Sequence, residues 1–75
     1  MEKITIHTEF IKLQQALKLA GLIDQGSDVK VYLAEGMVFV NGETATQRGK
    51  KIYPGDVIEV KGMGSVEVLA EQEDL

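Results

Sequence analysis

Apolar residues recur at three- and four-residue spacing near the start of the chain, which predicts an amphipathic helix. The residues of this series are Phe10, Leu13, Ala16, Leu17 and Ala20. The hydroxyl of Thr8 can cap the first turn, and Gly21 can adopt the left-handed conformation that ends many helices. We therefore expect the first helix to begin just after Thr8 and to stop at Gly21.

A second, shorter helix is predicted between Ser27, which can cap it, and Gly36, which can end it. Its apolar residues surround much of the helix instead of marking one face: Val29, Val31, Tyr32 and Leu33. Because two of these are β-branched, which lowers helix propensity, packing against the rest of the protein must help hold this helix.

Short apolar or alternating segments predict strands at 4–6, 37–40, 43–46, 57–61 and 66–69. Asn41-Gly42 is a strong hairpin signal, because a type I′ turn needs positive φ at both central positions. The sequence thus predicts an α+β fold, with two short helices packed on a small, mainly antiparallel β-sheet. We assign one domain to residues 1–70 and an acidic, mobile tail to 71–75.

The charges are distributed unevenly. The 75 residues carry a formal net charge of -4 and no cysteine. Residues 67–75 contribute -4 of this and residues 1–9 contribute -1, whereas residues 10–66 carry seven basic and six acidic side chains, a balance of +1. The acidity therefore lies at the ends of the chain, and overall charge is a poor guide to what the middle can bind.

A basic loop follows the predicted hairpin and precedes the turn at Pro54-Gly55-Asp56. It holds Arg48, Lys50 and Lys51, and a loop of this kind can bind polyanions. Gly49 either lets the backbone approach a phosphate closely or shapes the loop. Tyr53 either stacks on an unpaired base or packs beside Pro54. A solvated surface loop is the alternative interpretation of the three cations.

Three segments together resemble the RNA-binding domain of ribosomal small-subunit protein four, also called the alpha-L motif. They are Lys12-Leu13-Gln14, the stretch 28–42 ending in Val38-Phe39-Val40-Asn41-Gly42, and 54–60. The likeness spans about residues 10–61. It implies a module that binds structured RNA through two helices and the adjoining loop, and for this chain we expect ribosomal RNA or a ribosome precursor as the partner. Lys12 and Lys30 match basic positions of that family.

Other classes of function have less support in the sequence. No nucleophile-base-acid set or phosphate-cradling motif is present, so we expect no catalysis and no cofactor. His7 is the only histidine, so we expect no metal site. The start of the chain lacks the features of a signal peptide, and no apolar run could span a membrane, so a soluble, cytoplasmic, stand-alone protein is expected.

Two alternatives remain. Residues 40–43 and 55–60 also resemble ubiquitin-like sulfur carriers, although the chain ends in Glu73-Asp74-Leu75 instead of the terminal Gly-Gly on which those proteins act. A protein-binding adaptor whose acidic tail engages a basic partner is the other, and it would bind protein but not RNA.

Overall fold

The computed structural model describes residues 1–71, which form two β-sheets and two short helices. The elements in chain order are β1 (Glu2–Ile6), β2 (Ile11–Lys12), α1 (Leu13–Leu19), α2 (Val29–Ala34), β3 (Val38–Val40), β4 (Glu43–Thr44), β5 (Lys51–Ile52), β6 (Val57–Val60) and β7 (Gly64–Ala70). This arrangement confirms the predicted α+β fold.

The larger sheet has five strands in the order β1-β7-β6-β3-β4. β1 runs parallel to β7, with Ile4 opposite Val68, and the other neighbours in this sheet are antiparallel. β2 and β5 form a separate two-stranded antiparallel sheet. The sheet is therefore mainly antiparallel, as predicted, while the parallel pairing joins the two ends of the domain.

Alternate residues of the large sheet face one hydrophobic core, since successive side chains of a strand point to opposite faces. The strands contribute Ile4, Ile6, Val38, Val40, Ile58, Val60, Val66 and Val68 to this core. The helices and the segments beside them contribute Leu13, Ala16, Leu17, Ile23, Val29 and Leu33. Both helices are therefore held by burial of one side against the sheet, which explains how a six-residue α2 persists.

The β3–β4 hairpin forms as the sequence predicts. Asn41 has a φ of 51° and Gly42 a φ of 84°, which gives the two positive values that a type I′ turn needs. The returning strand ends at Thr44 instead of continuing to residue 46. Ala45 nevertheless donates its N–H to the carbonyl of Val38 at 2.8 Å, so the chain leaves the hairpin from a fixed point.

The predicted starts of both helices are wrong. α1 begins at Leu13, and the Thr8 hydroxyl donates to the carbonyl of Phe10 at 2.7 Å instead of capping a helix. Pairing with β5 holds Ile11 and Lys12 extended, so tertiary structure overrides the helical spacing there. In α2, Asp28 is the cap instead of Ser27, because its Oδ1 accepts the N–H of Lys30 at 3.0 Å.

Two further expectations concern membrane-spanning helices and the acidic tail. Among residues 1–71, no helix is both long and apolar enough to cross a membrane. The predicted acidic tail begins at Glu71, and its remaining residues, 72–75, lie outside the described part of the chain.

Asp56 joins the hairpin turn to the turn that precedes β6. Its Oδ1 accepts a hydrogen bond from Nδ2 of Asn41 at 3.0 Å, and its Oδ2 accepts the N–H of Tyr53 at 2.8 Å. The side-chain oxygen of Asn41 in turn accepts the N–H of Val57 at 2.9 Å. One carboxylate thus fixes the relative positions of two loops.

We predict that Asp56→Ala lowers the free energy of unfolding by about 1–3 kcal/mol, because two hydrogen bonds to a carboxylate are lost. Urea unfolding followed by circular dichroism measures the change. Glu59→Ala, which removes an exposed carboxylate from the neighbouring strand, is the matched control. Equal destabilisation by the two variants would contradict the role given to Asp56.

Candidate nucleic-acid interface

The basic loop is anchored at both ends by buried side chains. Ala45 is 4% exposed and Ile52 is fully buried, and both belong to the hydrophobic core. All the residues between them, 46–51, are exposed. The ends of the loop are therefore fixed to the protein, while its basic side chains are presented to solvent.

The backbone of this loop docks on the first turn of α1. The N–H of Leu13 donates to the carbonyl of Lys50 at 2.8 Å, and the N–H of Gln14 donates to the carbonyl of Arg48 at 3.0 Å. Oε1 of Gln15 accepts the N–H of Lys12 at 3.0 Å. The first N–H groups of a helix have no backbone partner within the helix, and here the loop supplies two of the missing acceptors.

The small sheet places two lysines directly opposite each other. β2 and β5 pair Ile11 with Ile52 and Lys12 with Lys51. Like charges in directly opposed positions of an antiparallel pair destabilise it. Both lysines are exposed, and an anion bound between or beside them would relieve their repulsion.

Lys30 approaches the loop from the second helix. A depression of about 720 Å³ separates α2 from the loop, and Lys30 and Arg48 both line it. Its other lining residues are Leu33, Ala34, Thr46, Gln47 and Gly49. Two cations from distant parts of the chain thus face one open concavity.

The five predicted cations therefore come from neighbouring segments, and we call Lys12, Lys30, Arg48, Lys50 and Lys51 the cationic face. The one ion pair among residues 1–71 joins His7 to Glu71 and includes none of them. Glu43 and Asp56 line one pocket together with Lys50 and Lys51. Asp56 is already hydrogen-bonded to Asn41 and Tyr53.

Aromatic rings adjoin the cationic face. The ring centroids of Phe10 and Tyr53 are 5.7 Å apart, with the planes tilted by 49°. Nζ of Lys51 lies 4.8 Å from the centre of the Phe10 ring, within the range of a cation–π contact. Tyr53 remains 41% exposed, so its contact with Phe10 leaves much of the side chain open to solvent.

Gly49 is not required by the shape of the loop. Its φ lies outside the left-handed region that favours glycine, and a Cβ added there would meet no atom within 4 Å. The structure therefore does not support the role of shaping the loop, one of the two roles expected for Gly49. Because Gly49 has no side chain, its backbone is uncovered in the depression that Lys30 and Arg48 line.

Sequence reasoning missed Phe10 and Gln15 as parts of this region. Phe10 matched the apolar series of the first helix, but it precedes the helix and packs on Tyr53. Gln15 accepts the N–H of Lys12, which is one half of a capping box, but the lysine side chain has no acceptor for the other half, so the sequence carried no clear signal for the true start of α1. Residues 1–71 contain no group of three or more His, Asp or Glu side chains placed to hold a metal ion.

Fold and site together define a small α+β module with a loop-and-helix surface suited to a polyanion. Residues 4–69 match the family model described as S4 domain, which covers most of the chain. The chain therefore belongs to the S4 domain family. This match confirms the first resemblance drawn from the sequence. It spans more of the chain than the expected 10–61, and it favours this family over the sulfur carriers.

Two relatives illustrate the family. The chain is 48% identical over 66 residues to the "Probable ribosome maturation protein RlbA" of Bacillus subtilis (strain 168), covering 88% of this chain and 93% of that protein. It is 37% identical over 60 residues to the "Putative RNA-binding protein YbcJ" of Escherichia coli (strain K12), covering 80% and 84% respectively. Both are similar in length to this chain.

We predict that Gly49→Ala leaves the free energy of unfolding unchanged or raises it by up to about 1 kcal/mol, because the backbone is compatible with alanine and the unfolded chain loses freedom. Gly42→Ala is the matched control, since Gly42 has a φ of 84° and the variant should be destabilised. Urea unfolding measures both. A marked loss of stability in Gly49→Ala would show that the glycine shapes the loop.

Proposed function

We propose that this protein is a non-catalytic RNA-binding module that holds structured RNA on the cationic face. The observation that carries the proposal is the register of the small sheet, which sets Lys12 opposite Lys51 without an acidic partner for either among residues 1–71. Such an arrangement costs stability in the free protein. Bound phosphate groups would relieve the repulsion between the two lysines and so add to the affinity.

The proposed mechanism is electrostatic docking on the RNA backbone. Lys12, Lys50 and Lys51 meet phosphates at the small sheet, while Lys30 and Arg48 meet them across the depression between α2 and the loop. Each neutralised phosphate releases condensed counterions, which makes the affinity fall with added salt. Because phosphate contacts carry little sequence information, the geometry of the face selects RNA mainly by shape.

Gly49 has a specific part in this proposal. Its backbone is exposed within the depression, and no Cβ covers it. A phosphate held by Lys30 and Arg48 can therefore come within hydrogen-bonding distance of the loop backbone. Arg48 can also offer its planar, multi-donor guanidinium to the same group.

The proposed target is ribosomal RNA or a ribosome precursor in the cytoplasm. Two facts support it: the chain belongs to the S4 domain family, and a relative of similar length carries a name that refers to ribosome maturation. A basic, shape-reading surface suits folded ribosomal RNA, which offers closely spaced phosphates from more than one strand.

We predict that changing Arg48, Lys50 and Lys51 together to glutamate weakens binding to ribosomal RNA fragments. The slope of log K against log salt concentration should become less steep by roughly 2 to 3, about one unit for each lost phosphate contact. Fluorescence anisotropy across a salt series measures both quantities. Circular dichroism confirms that the variant is folded.

A matched control changes Lys3, Lys18 and Lys61 to glutamate, which alters the net charge equally but leaves the cationic face intact. This control should lose little affinity and keep the parent salt slope. Equal losses in the two variants would mean that total charge, and not the cationic face, governs binding. Unchanged binding in the loop variant would exclude the loop.

A further inference from the structure

Beside the cationic face lies a pocket whose chemistry does not suit a phosphate. It occupies about 360 Å³ between the β3–β4 hairpin and the basic loop. Its polar lining includes Lys50 and Lys51 on one hand and Glu43 and Asp56 on the other. Two carboxylates oppose the approach of an anion, so this pocket needs a different occupant from the depression beside Lys30.

Tyr53 supplies an aromatic surface to this pocket. The side chain is 41% exposed, and its ring is oriented by contact with Phe10. Its backbone is fixed as well, since Asp56 accepts the N–H of Tyr53 and donates its own N–H to the carbonyl of Tyr53 at 3.0 Å. A ring held in this way can accept a flat ligand without first losing much conformational freedom.

The pocket wall also carries donors and acceptors of the kind that read a base edge. Thr46 and Gln47 bring a hydroxyl and an amide group, and Glu43 brings an acceptor for amino or imino protons. A volume of about 360 Å³ is at the lower end of the range for small-molecule pockets, roughly 300–1,000 Å³. This combination fits a nucleobase better than it fits an ion.

We propose that the pocket binds one unpaired base of the RNA, stacked on Tyr53, while Lys50 and Lys51 hold the phosphates next to that nucleotide. The inference rests on the proposed function, because the cationic face must bring the RNA to the pocket. It adds a chemical preference that electrostatic docking lacks: an RNA helix interrupted by a bulged or looped-out nucleotide is favoured over a continuous helix.

The test uses three hairpin RNAs that share one stem: an uninterrupted stem, a stem with a single bulged adenosine, and a stem with an abasic residue at the bulge. The bulged and abasic RNAs carry the same number of phosphates, so their difference in affinity reports the base alone. We expect the parent protein to bind the bulged adenosine about 5- to 100-fold more tightly than the abasic RNA, as base–aromatic stacking allows.

Tyr53→Leu should abolish this difference, while Tyr53→Phe, which keeps the ring, should retain most of it. Neither variant should change the salt slope on the uninterrupted stem, since no cation is altered. Binding of the bulged and abasic RNAs with equal affinity by the parent, with a normal salt slope, would overturn the base pocket and leave the cationic face in place. Absence of salt-dependent binding to all three RNAs would overturn both proposals.

Discussion

The site depends on the docking of the basic loop on the N-terminal turn of α1. Carbonyl groups of Arg48 and Lys50 accept the N–H groups of Gln14 and Leu13, which would otherwise lack partners inside the helix. This exchange satisfies the helix and also determines where the loop lies. Ala45 and Ile52 are buried at its two ends, so the loop is also attached to the hydrophobic core on both sides.

This constraint explains how an acidic protein can offer a surface for a polyanion. The net charge is -4, yet within residues 1–71 backbone contacts hold the basic loop against α1, and no cation of the cationic face forms an ion pair with an acid. Lys12 and Lys51 are neighbours in a β ladder, and Lys30 on α2 lines the same depression as Arg48 on the loop. Under the proposed function, binding of an anion would relieve the like-charge repulsion between Lys12 and Lys51, and a local cost in stability of this kind is typical of functional sites.

Much of the fold could be predicted from local signals. Asn41-Gly42 specified the hairpin because few dipeptides tolerate two positive φ values, and short apolar or alternating segments marked the positions of β3, β6 and β7. The start of α1 could not be read in this way. The helical spacing that begins at Phe10 is real, but pairing of Ile11 and Lys12 with β5 outweighs it, and that pairing joins residues about 40 positions apart.

The candidate site shows the same division. The sequence alone identified the loop cations Arg48, Lys50 and Lys51, and the family resemblance added Lys12 and Lys30. Their proximity depends on long-range contacts that no local pattern encodes, such as the register of β2 with β5. The roles of Asp56 and Phe10 were hidden for the same reason, since each acts through residues distant in sequence or outside its expected element.

The most direct test of the central claim is an NMR titration of the isotopically labelled protein with a ribosomal RNA fragment. We expect the largest amide shifts to cluster at Lys12 and Leu13, at Lys30 and through residues 46–53, with Gly49 among them. The outer strand β1 and the turn around Lys61 should change little. Shifts concentrated on β1 and that turn, or spread evenly over the protein, would contradict the claim that the docked loop and its helices form one RNA-binding surface.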